Sequence, residues 1–222
     1  MGRNHWSRVR RFAGVAGLVA VSVASAADAL VEYAAEGAGS DYWIAGGTDF
    51  DGDEVPDLLV SNDDTGEIHV VSGADGSELA TFGPFGGDVV SMLFAGDLDG
   101  DETEDLLVGV NLGRRSTNEP AEVRAISGAT GEALWASPGD SPNEGYGDFL
   151  GRCGDVDDDG RPDVLAGGWL VARVLSAADG SRIYTFDSSG LCCPADTLAS
   201  AGDLDGDGVD DLLIGQYRWM GD

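Results

Sequence analysis

Lysine is absent from this 222-residue chain, and all 12 basic residues are arginine. Against them stand 41 acidic residues, giving a formal net charge of −29. Such a surface repels phosphate backbones and anionic headgroups, which argues against nucleic acid or acidic lipid as a partner. Histidine is scarce: His5 sits in the N-terminal leader, so a Ser-His-Asp arrangement would have to use His69, which lies among strand-forming valines. Cysteine is limited to Cys153, Cys192 and Cys193, an odd number that allows one disulfide in an oxidising compartment. Cys153 joined to either of the other two would clip neighbouring units together. No histidine lies close enough in sequence to make these cysteines a metal site. Neither a phosphate-cradling P-loop nor a GxGxxG pattern occurs. The chain therefore reads as non-catalytic.

Long apolar runs are also missing beyond the leader. Arg3, Arg8, Arg10 and Arg11 form a positive n-region, Phe12 to Val23 is apolar and small-residue-rich, and cleavage sites follow at Ala24-Ser25-Ala26 and Ala27-Asp28-Ala29. Residues 1–29 read as a secretory signal peptide, with no membrane span after its cleavage. The expected location is secreted, extracellular or at the cell surface, with the periplasm as the other exported compartment. Free Ca²⁺ reaches roughly millimolar outside cells, so loops of modest affinity can fill there.

Aspartate, by contrast, is abundant and evenly spaced. Carboxylates recur at the first, third, fifth and ninth places of a nine-residue stretch, four times over. The sets are Asp49, Asp51, Asp53, Asp57; Asp97, Asp99, Asp101, Asp105; Asp155, Asp157, Asp159, Asp163; and Asp203, Asp205, Asp207, Asp211. Four negative groups so close together repel unless a cation sits among them. All-oxygen, highly charged donors suit a hard ion that accepts six to eight oxygens, best Ca²⁺, and the chain offers up to four such sites. An EF-hand would need Glu at loop position twelve between helices. Here that position holds Val60, Val108, Ala166 and Ile214, inside short aliphatic runs that read as buried strands. Regularly spaced aspartates are thus accounted for by these loops rather than by a glycosidase pair.

Successive first aspartates lie 48, 58 and 48 residues apart. A second landmark repeats in phase: Val71-Ser72-Gly73-Ala74-Asp75-Gly76, Ile126-Ser127-Gly128-Ala129-Thr130-Gly131 and Leu175-Ser176-Ala177-Ala178-Asp179-Gly180. Alternating apolar residues flank each, the pattern of a hairpin turn. The first unit then reads as strands at 42–45, 58–61, 68–72 and 79–82, the ion loop joining the first two. Four antiparallel strands in about 50 residues describe one propeller blade. The predicted class is all-β: a β-propeller of four-stranded antiparallel blades at about 40–83, 88–137, 145–187 and 196–222, the last one partial. The second unit carries a polar insertion, Gly113 to Pro120, with Arg114 and Arg115 as a local cationic feature.

Gly147-Asp148-Phe149-Leu150-Gly151, the run Gly154-Asp155-Val156-Asp157-Asp158-Asp159-Gly160-Arg161-Pro162-Asp163-Val164-Leu165, and Gly202-Asp203 to Leu213 resemble the FG-GAP repeat family. That family builds the β-propeller of integrin α chains and of many secreted bacterial proteins. The resemblance covers about residues 40–222 and implies calcium in a structural role and a binding or adhesion function, with a protein or glycan ligand at the loops. Carbonyls of Val55, Thr103, Arg161 and Val209, at loop position seven, would add oxygens. Two departures stand out. The family usually has Gly at loop position six, whereas the first two loops have Glu54 and Glu102 there and Gly52 and Gly100 at position four, which leaves their turn open. The units also number fewer than a closed ring requires, so further blades, self-association or an open arc are the alternatives. Two other roles fit the same residues: a structural segment of a larger surface protein, and the non-catalytic propeller of an extracellular enzyme. Ile126 to Trp135 also resembles the strand-turn-Trp element of quinoprotein dehydrogenase propellers, though only this unit carries the Trp and those repeats lack ion loops.

Overall fold

The computed structural model describes residues 19–24, 30–35, 43–62, 65–113, 118–142, 144–187, 197–206 and 209–215. Most of the leader, Arg114 and Arg115, Cys192 and Cys193, and Asp207 lie outside the described residues. Regular structure among those described is β throughout, with no α-helix, and falls into two compact units, Met1–Pro84 and Phe85–Asp222.

In the first unit, β1 (Val19–Ala24) pairs with β2 (Leu30–Ala35). The sequence reading assigns no strands there. Alternating valines in β1 suit a strand as well as they suit an apolar leader. A four-stranded antiparallel sheet follows in chain order: β3 (Ile44–Thr48), β4 (Asp57–Asn62), β5 (Glu67–Val71) and β6 (Glu78–Phe82). Its strands sit within two or three residues of their expected bounds. His69, on β5, lies 3.1 Å from Glu78 Oε2 and 3.2 Å from Thr81 Oγ1 across the β5–β6 pair.

The second unit holds two more four-stranded meanders and a two-stranded one. They are β7 (Asp88–Gly96) to β8 (Asp105–Asn111), β9 (Glu122–Ile126) and β10 (Ala133–Pro138); β11 (Phe149–Arg152) to β12 (Val164–Gly167), β13 (Val171–Leu175) and β14 (Arg182–Asp187); and β15 (Thr197–Gly202) with β16 (Asp211–Gly215). The first strands neighbour one another, with β11 lying against both β7 and β15. Leu107, Val123, Ala125, Tyr146, Val164, Ala166 and Leu175 fill the space between the β7–β10 and β11–β14 sheets. On the other face of the β11–β14 sheet, Cys153, Leu165 and Val174 pack with Leu212 of β16. Burial on both faces explains why Val171–Leu175 is apolar at every place but one. Cys153 carries a free thiol, and burial, aided by Asp163 and Asp210, pushes its pKa up to about 12.

Backbones of neighbouring sheets approach closely at Gly109. A Cβ there would fall 2.1 Å from the Gly147 carbonyl oxygen, which already accepts the Ser91 hydroxyl at 2.5 Å. Gly109→Ala is expected to lower unfolding stability by about 1–3 kcal/mol, the cost of overpacking, measured by urea denaturation. Trp135 of β10 makes a second junction: its indole N–H donates to the Ala177 carbonyl at 2.8 Å, and its ring covers Gly180. The lone Trp of the strand-turn-Trp run thus packs against the turn of the following sheet.

The one charged residue in β13 is Arg173, only 1% exposed. Its Nη2 donates to Asp140 Oδ2 at 2.6 Å and to Glu144 Oε1 at 3.4 Å, and Nη1 donates to the Pro138 carbonyl at 3.5 Å. The guanidinium lies 4.3 Å from the ring centroid of Tyr146, which is fully buried and donates its hydroxyl proton to Ser137 Oγ. Arg182 reaches Asp140 from β14 at 2.7 and 2.9 Å; with Arg173 it holds the Asp140 carboxyl below the usual carboxylate range. Arg124 stands at the matching register of β9 and donates to the Phe85 carbonyl at 3.0 Å. In both sheets an arginine on the third strand therefore grips the chain that leads into the first strand.

Candidate metal-binding loops

The first three acidic stretches fold into loops that share one hydrogen-bond scheme, and the described residues of the fourth show part of it. The carboxylate at position one accepts the N–H of position five at Asp49, Asp97 and Asp155, over 3.0, 3.1 and 3.0 Å. Its second oxygen accepts the N–H of position six, from Glu54, Glu102 and Gly160, at 2.8, 2.9 and 2.7 Å. Position three accepts from position five, and position five from position seven, in the same three loops. In the fourth loop Gly206 N–H donates to Asp203 at 2.6 Å, as Gly52 and Gly100 do to Asp49 and Asp97.

This sharing settles the turn of the glycine-poor loops. Positions four and six both take positive φ, and a glycine at either suffices. Gly52 (84°) precedes Glu54 (72°), Gly100 (87°) precedes Glu102 (68°), and Asp158 (63°) precedes Gly160 (89°). A non-glycine residue there costs roughly 1–2 kcal/mol. Aspartate tolerates the region through its short polar side chain; for the two glutamates, the local N–H bonds to position one help hold the turn.

Carboxylate oxygens converge in each loop, though not from the same places. One oxygen each from Asp49, Asp51 and Asp53, and likewise from Asp97, Asp99 and Asp101, lie within 4.8 Å of one another. In the third and fourth loops the converging sets are Asp155, Asp157, Asp163 and Asp203, Asp205, Asp211. The donors are oxygen only, several are charged, and three of them lie close together in each loop, which fits a hard divalent ion. Electrostatics inside the loops pull in both directions. Asp51 is raised above the usual carboxylate pKa by lost hydration and by the charges of Asp53, Asp57 and Asp49, against one backbone hydrogen bond at Asp53. Backbone N–H groups, Glu102 first, pull Asp97 down.

The ninth aspartate does more than the spacing suggests. Asp57, Asp105 and Asp163 are 0% exposed. One oxygen of each accepts the position-two N–H, from Phe50, Leu98 and Val156, at 2.7, 2.6 and 2.7 Å. The other accepts an N–H from the hairpin turn, from Gly73, Gly128 and Ala177, at 2.9, 2.9 and 3.3 Å. Strand register produces the second bond: Leu58 pairs with Val71, Leu106 with Ile126 and Val164 with Leu175, so each aspartate lands beside the turn that follows its partner. The two recurring landmarks of the sequence are therefore bonded to one another. Burial raises the pKa values of Asp105 and Asp163 despite these donors.

No protein-family model and no curated protein matches the chain. A solved structure described as BBS1N in complex with ARL6DN, soaked with lead, is similar over 82% of this chain and 67% of that chain, at 13% sequence identity and a TM-score of 0.35. A likeness that remote does not bear on function.

Proposed function

We propose that the chain is an exported, calcium-binding β-propeller repeat protein of the FG-GAP type that serves as a non-catalytic binding or adhesion module. The observation that carries this reading is the loop scheme itself, built the same way whichever of positions four and six holds glycine. Side chains at positions one, three, five and nine, with the position-seven carbonyl, would hold Ca²⁺. The ion would offset part of the loop's charge and tie the first strand of each sheet to the second. Adjacency of the first strands, β7 beside β11 beside β15, supports a propeller arrangement. Loops between fixed strands are free to vary, and a protein or glycan ligand would meet them there.

Because the ions would bind the folded chain alone, excess chelator is expected to lower the melting temperature, by about 3–6 °C per loop emptied from calcium at ten times its Kd. A melting curve unmoved by chelator would overturn the calcium reading. Binding to arrays of surface glycans and exported proteins tests the module reading.

A second role, as a structural segment of a larger surface protein, draws on one exposed face. Leu204 and Leu213 are 71% and 57% exposed, whereas their equivalents Leu98 and Leu107 in the second loop unit are buried in the core shared with the next sheet. A further sheet would cover them.

A further inference from the structure

We propose that Arg161 couples the second and third acidic loops, so that calcium in one raises the affinity of the other. This rests on the calcium reading above.

Arg161 occupies position seven of the third loop, where its N–H donates to Asp159 Oδ1 at 2.9 Å. Its side chain leaves that loop altogether. Nη1 donates at 2.7 Å to the carbonyl of Leu98, which is position two of the second loop. The Leu98 N–H in turn donates to Asp105 Oδ2 at 2.6 Å. Residue 98 is thus held on one side by its own loop's ninth carboxylate and on the other by a guanidinium from the next sheet. Its side chain is 8% exposed, inside the core between those sheets. A second arginine of the same sheet lies against the approach: a Cβ on Gly96 would lie 3.2 Å from Arg152 Nη2, just ahead of Asp97.

An ion in the third loop would fix the carboxylates of Asp155, Asp157 and Asp163 and, through the Asp159 N–H that the first two accept and the Arg161 N–H that Asp159 accepts, the backbone of Arg161. The guanidinium is then placed where it secures Leu98, and the second loop has less ordering left to undergo when it fills. Linkage makes the effect reciprocal. The coupling belongs to this pair of loops, since Val55, Thr103 and Val209 stand at position seven elsewhere. Arg161 also adds positive charge beside the second loop, which by itself would weaken calcium there. A double-mutant cycle separates that offset from the coupling.

The test is an NMR-monitored calcium titration of the full chain as wild type, Asp157→Asn, Arg161→Met and the double variant. The Gly100 amide, bonded to Asp97, reports the second loop, and the Gly160 amide, bonded to Asp155, reports the third. Asp157→Asn is expected to weaken calcium binding at Gly100 about fivefold when Arg161 is present, the low end of ordinary coupling, and to leave it unchanged in the Arg161→Met background. Equal losses with and without Arg161, or no loss in either, would overturn the coupling while leaving the calcium reading intact. A wild type with no calcium-dependent shift at either glycine would overturn both. Arg161→Gln gives the same comparison should the methionine variant not fold.

Discussion

Arg173→Ala is expected to destabilise the fold by about 3–5 kcal/mol, the range for removing one partner of a buried ion pair. The arginine is 1% exposed and Glu144, its buried acceptor, is 7% exposed. Without the guanidinium, Glu144 is left without its charged partner in a site that water barely reaches. Tyr146 loses the cation over its ring, and the Pro138 carbonyl loses a donor. Asp140, whose side chain is 60% exposed and also paired with Arg182, is affected least. Urea denaturation of Arg173→Ala beside Asp140→Ala checks this ranking. The isosteric Arg173→Met, made together with Glu144→Gln, should recover part of the loss, because it removes both buried charges instead of stranding one. A loss of under 1 kcal/mol for Arg173→Ala would mean that the 139–148 connection relaxes away from the sheet.

The second large effect separates the two tasks of the ninth aspartate. Asp163→Asn is expected to cost about 2–3 kcal/mol in the presence of chelator, where no ion can contribute. An amide can accept from only one of the two N–H groups that Asp163 now satisfies, since its nitrogen is itself a donor. Either Val156 or Ala177 is left with a buried unmatched donor, at about 1–3 kcal/mol. Asp157→Asn, at position three, should cost well under 1 kcal/mol in the same buffer, and should show its effect only when calcium is added back. Denaturation of both variants with and without calcium gives the four values needed. Equal costs for the two variants in chelator would mean that the ninth aspartate is a ligand and nothing more.

These two residues also show what could be read in advance. The loops are local: carboxylate spacing within nine residues marks Asp49–Asp57 and its three counterparts as candidate loops, and the aliphatic runs behind them became β4, β8, β12 and β16. The second role of Asp163 depends on strand register, which brings Ala177 back from 14 residues away. Nothing at either position announces the other. Arg161 and Leu98 are 63 residues apart, and their bond requires two sheets in contact. Arg173 was hidden for another reason. An arginine in a strand ordinarily marks the wet face, yet here both faces of β13 are covered and the charge is met from a connecting segment. The turn of the first two loops does not follow from glycine at position six alone, because the backbone bends at both positions four and six.

The backbone of Ala177 has ties in both directions. Its N–H goes to Asp163 in its own sheet, and its carbonyl takes the indole of Trp135 from the sheet before. Repeat arrays whose neighbours touch only through side-chain packing can lose one terminal unit at a time. A shared residue changes that behaviour, because peeling one sheet away strips a hydrogen bond from the turn that anchors the other's ninth aspartate. Sheets β7–β10 and β11–β14 should therefore melt as a single cooperative block, and mechanical load applied across them should meet one tall barrier in place of two low ones.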